Sequence, residues 1–298
     1  DLHLPATVET IYFVVEDGGH RSATLQVPRP STVISPYESE ARSKVSDGKT
    51  PRRLQNQTNF ATGNVISDIR IGNRLQLFDP DDPARYQINL SLGSEYVLSN
   101  HWSIRSSYTF DLTNNFDESR RRQSDSQLPK VRTDVVNYLV EGATGLEKLF
   151  VEGRDTYGSR WHYRAFAGVL EEMFSGVGGE MLYWDTRSRL AFGVSMAYVK
   201  QRAFDKSFKH QDYEVVTGFA SAYWATPWYN YDAAIHVGRY LAKDVGATLD
   251  LRRTFRNGWQ VGVFATLTDV PFDVFGEGSF DKGFYFQVPL DGIFGDAG

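Results

Sequence analysis

Large apolar and polar residues alternate with a period of two through most of the chain after residue 63. Leu190, Phe192, Val194, Met196 and Tyr198 are separated by Arg189, Ala191, Gly193, Ser195 and Ala197. Val245, Ala247, Leu249, Leu251 and Phe255 alternate with Asp244, Gly246, Thr248, Asp250, Arg252 and Thr254. The same rhythm runs through Tyr86–Leu92, Trp102–Phe110, Val65–Leu77 and Trp259–Leu267. Successive strand side chains point to opposite faces, so this period predicts β-strands with one wet and one dry face. Short turn signals join them at Ser99-Asn100, Thr226-Pro227, Ala242-Lys243 and Asn257-Gly258, the last being the strongest hairpin signal. Longer interruptions fall at 112–133, 204–211 and 270–281, and helical potential is confined to 133–141.

Residues 1–30 read as a separate hairpin: Glu9–Glu16, the turn Asp17-Gly18-Gly19, Ser22–Val27, and a stop at Pro28 and Pro30. Residues 31–62 carry Pro, Ser, Lys, Arg and Asn without an apolar period and read as a linker or long loop. Residues 63–290 form the strand region, and 291–298 a tail.

An alternating strand suits a soluble sandwich, whose dry face meets a second sheet, or a transmembrane barrel, whose dry face meets lipid. Three features favour the barrel. The strands at 189–203, 212–225 and 243–256 exceed the ~5–6 residues usual in globular sheets and reach the ~9–11 that span a bilayer. The wet face is rich in Gly, Ala, Ser and Thr, mixed with Asp and Arg. Aromatic residues gather at strand ends: Tyr223, Trp224, Trp228, Tyr229 and Tyr231 around one turn, Trp259 and Trp102 at others, as in an interfacial girdle. The expected fold is therefore an all-β, antiparallel, outer-membrane-type β-barrel, incomplete in this chain, with a small N-terminal β module at its rim.

Composition agrees. The 298 residues are 41% hydrophobic yet hold 20 Phe, 16 Tyr and 6 Trp, and mean hydropathy is −0.40. Alternation averages the hydropathy of a barrel in just this way. No stretch approaches the ~20 apolar residues of a transmembrane helix. The net charge of −5 has both signs interspersed, so no nucleic-acid footprint is present. The absence of cysteine is compatible with an envelope protein.

The C-terminal third resembles a known family. Gly238-Arg-Tyr-Leu-Ala-Lys-Asp-Val-Gly-Ala-Thr-Leu-Asp-Leu-Arg-Arg-Thr-Phe255 leads into Gly258–Val270, then Phe275–Gly283 and a last strand with Pro289-Leu290. Leu170–Glu180, Val199–Asp205 and Leu128–Asp134 match as well. These stretches resemble the YjbH/GfcD-type exopolysaccharide biosynthesis outer-membrane β-barrel family, most closely over 128–290. The resemblance implies a non-enzymatic role in exopolysaccharide or capsule production and export at the bacterial outer membrane. The partners it implies are outer-membrane lipid, the extracellular polysaccharide and periplasmic proteins of the same system. Family members extend further at both ends, and Gly292–Gly298 lacks the terminal aromatic of a complete barrel. Barrel strands missing from this chain are therefore expected to come from the rest of the protein or another chain, because an open edge in lipid is untenable.

Charged residues at wet-face positions are the candidates for contact with cargo: Arg70, Arg74, Arg85, Arg105, Arg160, Arg164, Asp212, Glu214, Asp232, His236, Asp244, Asp250 and Arg252. They tune passage if they face water, or pair with one another and stiffen the wall. The motif Gly276, Glu277, Gly278, Asp281, Lys282 and Gly283 lacks the spacing and following helix of a phosphate loop and reads as an ordered loop over the barrel mouth. Glu171-Glu172 is the one carboxylate pair that invites glycoside chemistry, but adjacent strand residues point apart. Histidines 3, 20, 101, 162, 210 and 236 show no ligand spacing, and no nucleophile-elbow, zincin or Walker motif occurs. No catalytic residue, metal or cofactor is expected. The alternatives from other classes are a general diffusion porin, a carbohydrate-active enzyme on a barrel scaffold, and a soluble β-sandwich binding module.

Overall fold

The computed structural model describes residues 10–17, 20–28, 44–46, 65–77, 84–99, 101–118, 129–158, 160–185, 187–256, 258–271 and 280–287. Strands β1 (Thr10–Asp17) and β2 (His20–Pro28) form an antiparallel hairpin. A third strand, β3 (Lys44–Ser46), pairs with β2 from inside the stretch read as a linker.

The strand region is one antiparallel meander of twelve strands in sequence order. They are β4 (Val65–Leu77), β5 (Ala84–Val97), β6 (Trp102–Asn114), β7 (Gly145–Tyr157), β8 (Trp161–Val169), β9 (Phe174–Trp184), β10 (Leu190–Arg202), β11 (His210–Ala225), β12 (Tyr231–Arg239), β13 (Val245–Thr254), β14 (Gln260–Thr268) and β15 (Asp281–Gln287). All but β15 have 9 to 16 residues, enough to cross ~30 Å of hydrocarbon at a tilt. Among the described residues β4 and β15 each pair on one side only.

The sheet is curled. Arg74 lies on β4 and Glu172 in the β8–β9 turn, four strand spacings away, or ~19 Å across a flat sheet. Their side chains nonetheless meet at 2.9 Å. The face carrying Arg74 is therefore the enclosed one. Glycines permit the bend near one end: Gly168 opposes Gly176, and Gly238 opposes Gly246, in register. A Cβ at any of these four would strike the neighbouring strand's backbone.

Strand parity sorts the turns into two ends. The turns at 98–101, 158–160, 185–189, 226–230 and 255–259 are short and share one end with most of the strand-end aromatics. Tyr229 and Asn230 both have positive φ (46° and 56°), the geometry of the two central residues of a type I′ turn, which the Tyr231 N–H closes on the Trp228 carbonyl at 2.9 Å. All three long interruptions fall at the opposite end. There the β6–β7 connection holds a 3₁₀ turn (Phe116–Glu118) and the helix α1 (Val135–Val140). No helix among the described residues is long and apolar enough to cross a membrane.

Candidate functional site

The two faces of the curled sheet carry opposite chemistry. On β10 the exposed positions are Leu190, Phe192, Val194, Met196 and Tyr198, and the sheltered ones are Ala191, Gly193, Ser195, Ala197, Val199 and Gln201. Phe192, Leu249 and Val263 are each half exposed or more (52%, 56% and 50%). They meet no second sheet among the described residues. Outward apolar residues also lie side by side across strands: Ile71 beside Leu90, Leu90 beside Phe110, Ile235 beside Leu249, Leu251 beside Val263 and Val261 beside Phe286. The exposed surface is thus a continuous apolar belt, while Arg85, Gln87, Asn89, Thr109, Glu152, Gln201 and Arg202 are buried. This inverts the arrangement of a soluble sandwich.

The enclosed face is organised around Glu152, on β7, whose side chain is 1% exposed. Its two oxygens accept hydrogen bonds from Arg154 and Arg164 and form an ion pair with Arg105, each at 2.7 Å. Arg105 also reaches Glu95 at 3.2 Å, and Arg164 reaches Glu180 at 3.5 Å. Three guanidiniums against one buried carboxylate hold β5, β6, β7, β8 and β9 in a single lattice.

A second network closes the end that bears the long connections. The Arg202 guanidinium donates to the carbonyls of Leu146 (2.9 Å), Glu171 (3.2 Å), Glu172 (3.1 Å), Lys206 and Ser207 (3.4 Å), tying two turns to the start of β7. Glu147 and Glu172 are shared by Arg74 (2.8 and 2.9 Å) and the buried Lys206 (3.6 and 3.3 Å). Burial pulls the Lys206 ammonium below the usual lysine range, against the two carboxylates that hold it charged. Helix α1 fills the enclosed side here. Tyr138 packs with Met173, Phe174, Val199 and Val215, while Val136 and Leu139 pack on Phe116. The Tyr138 hydroxyl donates to the Arg202 carbonyl at 2.5 Å, and burial pushes its pKa up to about 12, so it stays a neutral donor.

Most of the charged residues singled out in the sequence lie on the enclosed face and are paired. Arg70 meets its neighbour Asp68 at 2.5 Å on the edge strand. Arg252 meets Asp232 at 3.3 Å, Asp250 accepts from Tyr285 at 3.1 Å, and His236 shares a hydrogen bond with Ser221 at 2.8 Å. Asp244 lies in the β12–β13 turn at the plugged end. Arg160 lies at the aromatic rim and pairs with Asp185 at 3.0 Å.

Asp212 and Glu214 do not join them. Both face outward, and Glu214 accepts from Tyr198 (2.7 Å) and pairs with Lys200 (3.6 Å). The pattern inverts there because Val215, between them and the middle of the strand, packs inward on the plug core, which is dry. The loop motif is also revised. Gly276, Glu277 and Gly278 lie outside the described residues, but Asp281, Lys282 and Gly283 start β15 and do not form a loop. Gly283 lies under the Phe264 ring, which leaves no room for a Cβ and continues the strand alternation into Tyr285.

Glu147, Glu152, Arg154, Arg202 and Lys206 were not singled out from sequence. Glu152, Arg154 and Thr156 do repeat every second residue, which was the available signal. Arg202 and Lys206 are recognisable only once the turns they bind are assembled. Glu171 and Glu172 are each held by cations, Glu171 by Arg132 at 2.7 Å. Among the described residues no group of three or more His, Cys, Asp or Glu is placed to hold a metal.

The profile of the YjbH family, described as exopolysaccharide biosynthesis protein YbjH, matches residues 2–297. An uncharacterized lipoprotein YjbH of Escherichia coli (strain K12) is 37% identical over an alignment of 219 residues that covers 71% of this chain and 31% of that protein. The chain therefore spans about a third of that relative's length. Among solved structures, OmpT, an outer membrane protein of Vibrio cholerae folded in vitro, aligns over 77% of this chain and 83% of its own, at 8% identity and a TM-score of 0.33. That likeness is too slight to carry an argument.

Proposed function

The chain belongs to the YjbH exopolysaccharide biosynthesis family, and from that premise we propose that it is an outer-membrane β-barrel component of exopolysaccharide or capsule production and export, acting as a wall and conduit and not as an enzyme. The observation that carries this reading is the continuous apolar belt around an enclosed polar lattice. Soluble monomers rarely expose an apolar patch beyond ~300–600 Å², whereas lipid requires one. The word lipoprotein in the relative's name supports an envelope location. Fixing of the Glu171 and Glu172 carboxylates by Arg132, Arg74 and Lys206 supports a non-enzymatic role. The polymer and periplasmic proteins of the same system are the proposed partners, and further strands of the longer protein would cover the edges of β4 and β15. The full-length protein is expected in the outer-membrane fraction, with a gel mobility that shifts on boiling. Recovery in the soluble fraction would end the proposal.

A porin reading makes a different prediction. Because α1 packs into one end, the reconstituted full-length protein should conduct weakly in planar bilayers. Val136→Asp with Leu139→Asp places two carboxylates in the plug core and should expel the helix, raising conductance several-fold. A folded double variant with unchanged conductance would remove the plug from the account. Large conductance in the unaltered protein would favour the porin.

A further inference from the structure

Beside the ionic lattice, the enclosed face changes character. On β10 the inward positions are Ala191, Gly193 and Ser195, which form the floor of a cleft of about 830 Å³, within the ~300–1,000 Å³ of small-molecule sites. Gly193 lies between Leu182 of β9 and Ser221 of β11, and Ser195 between Glu180 and Phe219. Aromatic rings form the far wall. Phe219 and Tyr240 stand edge to face at 4.9 Å, and Tyr223 and His236 at 5.6 Å. Hydroxyls are interleaved with them: Tyr240 bonds Thr248 at 2.6 Å, which bonds Thr266 at 2.8 Å.

Among the described residues, the only formal charges lining this cleft are Arg164 and Glu180, which are paired with each other, and Arg164 is held more tightly by Glu152. A polyanion would need an excess of positive charge on the lining. Here Arg164 is offset by two carboxylates, Glu152 and Glu180.

We infer that this furrow is a binding track for an uncharged stretch of a hydroxyl-rich glycan, with Phe219, Tyr223 and Tyr240 stacking on the C–H faces of sugar rings and Ser195, Ser221, His236 and Thr248 meeting their hydroxyls. Aromatic rings supply apolar contact at low entropic cost, and the small β10 residues leave the ring-sized gap. The inference rests on the export reading above and narrows it: the charged half of the enclosed face is structural, and the neutral half touches the polymer.

The test uses full-length protein in detergent and polysaccharide released from the cells that produce it, cleaved to oligosaccharides and split by ion exchange into neutral and acidic fractions. Calorimetric titration should detect binding of the neutral fraction. Phe219→Ala and Tyr240→Ala should weaken it at least tenfold, and Ser195→Trp should abolish it by filling the floor. Tyr240→Phe keeps the ring and should weaken binding less than Tyr240→Ala. Folding of each variant is read from its heat-shifted gel mobility. Preferential binding of the acidic fraction, no binding of either fraction by heat-modifiable protein, or unchanged affinity in folded variants would overturn the inference while leaving the membrane assignment standing.

Discussion

Glu152→Ala is expected to destabilise the protein by about 3–5 kcal/mol, the range for removing one partner of a buried ionic cluster. The carboxylate is enclosed, and Arg105, Arg154 and Arg164 converge on it at 2.7 Å. Without it three positive charges remain within a few ångströms of one another. The guanidiniums are 22–36% exposed, so water along the enclosed face screens part of the repulsion, and the lower half of the range is the better expectation. Glu95 and Glu180 cannot replace the lost partner, because each reaches one arginine from the periphery. Glu152→Gln keeps the shape and one acceptor and should cost less than alanine. A second change, Arg164→Met, should restore part of the loss in Glu152→Ala by removing a stranded charge. Urea unfolding in lipid vesicles, followed by tryptophan fluorescence, compares the three variants with the parent. A Glu152→Ala variant as stable as the parent would show that the lattice contributes nothing net.

The sequence made the belt legible and left the packing of the helix hidden, for the same physical reason. Alternation reports a difference between two environments. Along β10 and β13 one side is apolar and the other polar for most of the strand, so Phe192, Met196, Leu249 and Leu251 could be assigned without coordinates. Near the plugged end both sides of β11 have other neighbours. Val215 turns inward onto Tyr138 and Glu214 outward to Lys200, and the polarity rule then gives the wrong face for Asp212 and Glu214. Helical potential is legible at 133–141, but a six-residue helix has too few positions to show which side it buries, and α1 supplies the dry surface that causes the inversion. Arg202 was silent for a different reason. Its value lies in five carbonyls from two turns and the start of β7, three of them about 30 to 56 residues away in sequence, and only the topology brings them together. The aromatic residues divide likewise: adjacent Tyr223 and Trp224 face opposite sides of β11, so one belongs to the cleft wall and the other to the rim.

The strongest effect on the membrane assignment should come from a depth series on β10, in which Leu190, Phe192, Val194 and Met196 are changed one at a time to Arg. All four side chains are outward and 45–65% exposed. In water, substitution of an exposed apolar side chain by a charged one usually stays within ~0.5 kcal/mol of neutral. In lipid the guanidinium must be desolvated or must thin the bilayer to reach water, at ~2–4 kcal/mol at the midplane and ~0–1 kcal/mol near the interface. The two environments therefore predict different shapes as well as different sizes. Leu190 is the first residue of the strand, level with Trp224 in register, and Met196 lies at its middle. Met196→Arg should be the costliest of the series and Leu190→Arg the mildest, with Phe192 and Val194 between them. Unfolding in vesicles would give the four values. A flat profile near zero would place these side chains in water, and the belt would then need another occupant, such as a second protein, to cover it.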